Sequence, residues 1–168
     1  GPLTLILPRS RHIPDSVTGG QDTVGLRIPA HPVAQALLNA LGPEKALAAP
    51  SANRFGRISP TTAAHVYEEL GTEVDMILDG GACEVGLEST IISFCDQSPK
   101  ILRPGGIALS ALESILNAPV ILAHNQNQTV RTPGSLPAHY APTTPLKLYP
   151  ANQIGQSALA FAAQGLKI

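Results

Sequence analysis

Residues able to do chemistry gather in three short stretches: "PSAN" (Pro50 to Asn53), "GLEST" (Gly86 to Thr90) and "LRPGG" (Leu102 to Gly106). The first ends the apolar run "ALAAP" by presenting Ser51 and Asn53. Short donors and backbone N–H groups at a strand end are what α/β folds offer to ligands. An Asn/Ser turn accounts for the same residues equally well. In the second stretch, Ser89 and Thr90 open an apolar strand behind an acid, which as a lone signal is a strand boundary. In the third, Arg103 stands at a strand end beside Pro104 and two glycines. Glycine lets backbone approach a ligand closely, and guanidinium matches phosphate or carboxylate geometry. Arg27 of "GLRIP" sits inside an apolar strand, where unpaired burial would be costly, so it wants an anion. Short donors and arginines together suit a small anionic ligand.

The remaining candidates are weaker. The five histidines lie at no metal-ligand spacing with another His or Cys, so no metal residues are assigned. Cys83 has acidic Glu84 beside it, which argues for a small packed thiol rather than an activated one. Glu68 and Glu69 fall late in a helix and read as solvated. "DGG" (Asp79 to Gly81) lacks the spacing of a phosphate-binding loop and reads as a turn.

The elements that must position these residues alternate early and pair late. Leu3 to Leu7 and Thr23 to Pro29 read as strands, "HPVAQALLNALG" as a helix and "ALAAP" as a short buried strand. "SPTTAAHVYEELG" is a helix with Ser59 expected at its N-cap and Pro60 at its first position. "VDMILDGG" gives a further strand, and "LESTIISF" with "PKILRPG" forms a hairpin ahead of the helix "ALSALESIL". The expected class is α/β, a twisted mixed sheet with flanking helices over residues 1–117. Residues 118–145 read as an extended, proline-stiffened linker, and 146–168 as the strand "LKLYP" and a helix opening a second α/β unit.

The totals exclude several classes. The chain has 168 residues, 43% of them hydrophobic, enough for a packed core. A net charge of -1 gives no global attraction to nucleic acid or membrane, and 4% aromatics is poor for stacking on single strands. No apolar run approaches the roughly 20 residues that cross a bilayer. Two cysteines are too few for a disulfide framework, so a reduced, cytoplasmic protein with no membrane partner is expected. Gly1 and Pro2 lead straight into a strand-like run, and the end is as abrupt, so the chain reads as an internal piece of a longer protein.

In order, "GPLTLIL", "GLRIPAHP", "APSANRFGRISPTTAAHV", "LDGGACEVGLESTII" and "ILRPGGI" resemble the YrdC-like family of threonylcarbamoyl-AMP synthases. "TPGSLPAHYAPTTPL" is similar to the linker of its two-domain members, and the resemblance spans about Gly1 to Pro145. It implies a nucleotidyltransferase that combines L-threonine, bicarbonate and ATP into threonylcarbamoyl-adenylate and pyrophosphate. The product serves threonylcarbamoyladenosine modification of tRNA, which makes tRNA an indirect partner. Magnesium would accompany the triphosphate without a dedicated protein cage.

By the same resemblance, Thr4, Arg27, Ser51 and Ser89 would bind threonine. Ser51, Asn53, Ser89 and Arg103 would bind the nucleotide, with His139 and Tyr140 of the linker folding back as a lid. No residue is expected to act as a nucleophile, because adenylyl transfer needs positioning and charge stabilisation. The family's Lys/Arg-rich segment, which precedes the counterpart of "GPLTLIL", has no match in these residues. The alternative is a non-catalytic module of the same fold that binds nucleotide or double-stranded RNA, which an exposed row of Lys and Arg would favour. The carbamoyl-transferring relative within hydrogenase-maturation proteins is a third reading, without its expected zinc-finger neighbours here.

Overall fold

The computed structural model describes residues 2–123, 142, 144 and 146–166. Its centre is a five-stranded mixed sheet in the order β2-β1-β3-β4-β5. The strands are β1 (Leu3–Pro8), β2 (Thr23–Leu26), β3 (Thr90–Ser93), β4 (Lys100–Arg103) and β5 (Ile121–Leu122). β1 runs antiparallel to β2 and parallel to β3; β4 is antiparallel to β3 and parallel to β5. The expected hairpin is therefore β3 and β4, with a register shift between Ile91 and Ile92.

Alternation along the strands gives the sheet two faces. Ile92, Ile101 and Val120 pack with Leu112 of helix α4 (Leu109–Leu116), against which Leu3, Leu5 and Phe94 also lean. Thr4, Ile91 and Arg103 are register partners across β1, β3 and β4 and so share the opposite face. Glu113 of α4 accepts a hydrogen bond from the Val120 backbone at 3.1 Å, which fixes the approach to β5. β5 lies inside the stretch read as linker, so pairing with β4 draws residues 121–122 into the sheet.

The helices keep their sequence signals, with one shift. Helix α2 (Pro32–Leu41) has Pro32 at its first position and Gly42, at φ 101°, past its end. His31 caps it: Nδ1 accepts from the Val33 backbone, which leaves Nε2 to donate to the Gly80 carbonyl at 3.1 Å. Helix α3 (Ala63–Leu70) is capped by Thr62, whose hydroxyl accepts from the His65 backbone at 3.2 Å, and not by Ser59. Its C-terminal turn continues as a 3₁₀ turn, Gly71–Glu73. A short helix α1 (Asp15–Thr18) lies in the loop after β1. There Arg9 pairs with Asp15 at 2.5 Å and with Asp22 at 3.7 Å.

Three expected strands are not strands. "ALAAP", "VDMILDGG" and "LKLYP" run without ladder pairing, and the apolar side chains Leu47, Met76, Leu78, Leu146 and Leu148 are exposed. An apolar run becomes a strand only where a neighbouring edge accepts its backbone groups, and these runs meet none among the described residues. The expected closing helix does form as α5 (Ile154–Ala163), behind a 3₁₀ turn at Ala151–Gln153. Phe161 of α5 meets Tyr149 edge-on at 6.3 Å and takes the Lys147 ammonium over its ring at 5.1 Å.

Candidate functional site

Topology brings four of the expected residues to one end of the sheet. β1 and β3 are parallel, so Thr4 near the start of one lies beside Ser89 just ahead of the other. β4 and β2 run the opposite way, so Arg103 at the end of β4 and Arg27 after β2 reach the same end. The contacts are direct for three of the four. The Thr4 and Ser89 hydroxyls share a hydrogen bond of 2.7 Å. Arg103 donates to the Ser89 carbonyl from Nε at 3.2 Å and from Nη2 at 2.9 Å, and from Nη2 to the Ser89 hydroxyl at 3.2 Å. Ser89 itself is buried, so this guanidinium fixes a hydroxyl it also polarises.

The glycines of "LRPGG" explain this geometry differently from the sequence reading. A Cβ on Gly105 would stand 2.4 Å from the Thr90 nitrogen and 2.5 Å from the Glu88 carbonyl oxygen. The close approach that glycine permits is to the "GLEST" backbone. Thr90 reinforces it, its hydroxyl accepting from the Ile107 backbone at 3.1 Å. The two motifs are thus one packed unit.

Arg27 corrects its expectation. β2 ends at Leu26, so Arg27 is exposed, and Nη2 donates to the Ala49 carbonyl at 2.7 Å. A backbone carbonyl, rather than a carboxylate, is its partner, and the contact tethers the segment that leads into "PSAN".

Within "PSAN", Ser51 is exposed and Asn53 folds inward. The Asn53 amide donates to the carbonyls of Arg54 at 2.9 Å and Arg57 at 3.1 Å, the local turn expected of an Asn. Its oxygen Oδ1 is buried without a hydrogen-bond partner. Such an orphan acceptor costs roughly 1–3 kcal/mol, a debt that an N–H or O–H donor would relieve. Arg54 anchors the turn to the C-terminal end of α3. Its Nε donates to the Glu69 carbonyl at 3.1 Å, its guanidinium pairs with Glu73, and its backbone N–H donates to the Glu69 carboxylate. Glu69, expected to be solvated, is therefore a turn anchor, and a cation at a helix C-terminus is favourably placed.

His139 and Tyr140 lie outside the described residues. Cys83 is exposed rather than packed. "DGG" is the turn it promised, with the Asp79 carboxylate accepting from the Gly81 backbone at 2.8 Å. A cavity of about 260 Å³ between α2 and residues 78–80 is lined by Val33, Ala34, Leu37 and Leu78 and holds none of the expected site residues.

The decisive finding is a match to two family models. The Sua5/YciO/YrdC model, described as "Telomere recombination", matches residues 1–105. The chain belongs to this family. A second model, "Threonylcarbamoyl-AMP synthase, C-terminal domain", matches residues 107–167. Threonylcarbamoyl-AMP synthases of Pyrococcus abyssi and Bacillus subtilis are each 42% identical to the chain, over 85% and 88% of it and 42% and 43% of themselves. The Schizosaccharomyces pombe synthase is 42% identical over 89% of the chain and 39% of itself. The chain thus spans about two fifths of the length of these curated relatives. The crystal structure of P. abyssi Sua5 complexed with L-threonine superposes with a TM-score of 0.83 at 38% identity, covering 99% of this chain and 51% of that one. A variant of that Sua5 with an adjacent His and Tyr replaced by alanine gives a TM-score of 0.70 at 42% identity, over 74% of this chain and 37% of that one.

Sequence reasoning missed Glu88, Ser59 and Arg54 as parts of this region. The signal for Arg54 was its place directly after Asn53; for Ser59 and Glu88 no sequence signal distinguishes them from a helix cap and a solvated acid.

Proposed function

We propose that the chain is the part of a threonylcarbamoyl-AMP synthase that holds the adenylate and the threonyl group. The carrying observation is the convergence of Thr4, Ser89 and Arg103, from three separate motifs, into one hydrogen-bonded cluster at one end of the sheet. A hydroxyl pair beside a guanidinium offers donors to a phosphate or a carboxylate, the two anionic groups of the proposed substrates. Ser51 and Asn53 complete the set from the turn that Arg27 tethers, and Arg27 is assigned to the threonine carboxylate. The substrates are ATP, L-threonine and bicarbonate, with magnesium carried on the triphosphate. The product supplies tRNA threonylcarbamoylation in the cytoplasm. No residue here attacks covalently; positioning and charge stabilisation carry the step. In domain terms, the catalytic unit takes in residues 1–117 together with β5, which pairs with β4, and His139 and Tyr140 of the segment that follows contribute to nucleotide binding.

The test is pyrophosphate release from ATP by the full-length protein, with L-threonine and bicarbonate present. Arg103→Ala is expected to lower kcat/KM about a hundredfold, the order seen when one donor to a developing charge is removed. Saturable ATP binding without pyrophosphate in the unmutated protein would replace the synthase by the binding module. An Arg103→Ala variant as active as the parent would remove this cluster from the site.

A further inference from the structure

The candidate site consists of two halves that different parts of the chain hold in place. Thr4, Ser89 and Arg103 belong to the sheet. Ser51 and Asn53 belong to a turn with no helix or strand of its own, anchored at its entry by Arg27 and at its back by Arg54. Neither anchor contacts Ser89 or its chain neighbours directly; the Arg27 anchor reaches Ser89 only by way of β2, β1 and Thr4. Ser59 supplies the direct link: its hydroxyl donates to Glu88 Oε1 at 2.6 Å, the short distance of an O–H bond to a carboxylate. Glu88 is itself held, because its carbonyl fills the space that Gly105 leaves and the next residue, Ser89, carries the Arg103 guanidinium.

We infer that Glu88 is a positioning residue, a strut that through Ser59 keeps the "PSAN" turn in register with the Ser89 half of the site. A ligand that spans both halves, an aminoacyl-type adenylate on the function proposed above, then meets both sets of donors at once. The strut stands on geometry alone; only the identity of the ligand rests on that functional reading.

The experiment uses the full-length protein with Glu88→Ala, Glu88→Gln, Ser59→Ala and the double alanine variant. Its first readout, which needs no activity, is amide hydrogen exchange within residues 51–58, read at Arg54 and Arg57, whose N–H groups donate to Glu69 and to the Arg54 carbonyl. Exchange there rises about tenfold in both single alanine variants, the lower end of what a hydrogen bond to a charged group contributes, while β1 and β3 stay unchanged. Glu88→Gln keeps an acceptor oxygen and stays near the parent. Its second readout is pyrophosphate formation, where Glu88→Ala raises the KM for ATP about tenfold with a smaller change in kcat. The double variant is no worse than either single, the mark of one shared contact. Unchanged exchange at 51–58, faster exchange in β3 as well, or additive losses in the double variant each overturn the strut. An unmutated protein that forms no pyrophosphate defeats the functional reading instead, and the exchange readout alone then decides the strut.

Discussion

The centre of the sheet and the segments beside it began with the same kind of sequence and ended differently. "STIIS" and "ALAAP" are both short apolar runs next to small polar residues. In β3, Ile92 is fully buried, flanked by β1 on one side and β4 on the other. Residues 46–50 are exposed and pair with no strand, and within 74–80, also unpaired, Met76 is 75% exposed while Val74 and Ile77 are half-buried. An apolar run becomes a buried strand only where a neighbouring edge takes up its backbone hydrogen bonds. Strand identity is thus a property of a pair of segments.

The largest test of that contrast is hydrogen exchange. The β3 amides are expected to be protected at least ~10³-fold, by global unfolding, while amides of 46–49 and 76–80 exchange near the unprotected rate. Equal protection in both regions would mean that these runs are strands after all. Next in size, Ile92→Ala should cost about 2–5 kcal/mol in urea unfolding, against less than about 0.5 kcal/mol for Met76→Ala. A smaller contrast lies within one motif. Gly105→Ala drives a methyl into the Thr90 and Glu88 backbone and should cost about 2–3 kcal/mol. Gly106→Ala meets only the side chain of Val85, which can move, and should cost clearly less in the same assay. The smallest concerns the cap of α3: Thr62→Ala should cost about 1 kcal/mol and speed amide exchange in the first turn of α3, whereas Ser59→Ala should leave exchange in that turn unchanged, the reverse of what a cap at Ser59 requires.

Legibility followed the range of the interactions. Helix α2 was readable because His31, Pro32 and Gly42 act within a few residues of one another, and the β3–β4 hairpin because its strands are neighbours in the chain. The sequence points to a cap of α3 three residues too early because Ser59 and Thr62 are chemically alike, and what separates them is Glu88, 29 residues beyond Ser59. Arg27 reads from the sequence as a cation within a strand in search of an anion because nothing local shows that β2 stops at Leu26. For the site, the motifs named Thr4, Ser89, Arg103 and Asn53, but not that Gly105 serves the backbone of "GLEST" or that Arg54 ties Asn53 to α3.

By itself the sequence determined the family, the residue types of the site, the mixed α/β class and the helices, because motif order, capping and apolar periodicity are written along the chain. Only the tertiary structure decided which apolar runs became strands and which end of the sheet gathers the site. It also decided which polar side chains meet across the sheet and which are taken up by local turns. Those outcomes depend on backbone and side-chain partners tens of residues away, and a hydrogen bond between Thr4 and Ser89 exists only once β1 and β3 lie side by side.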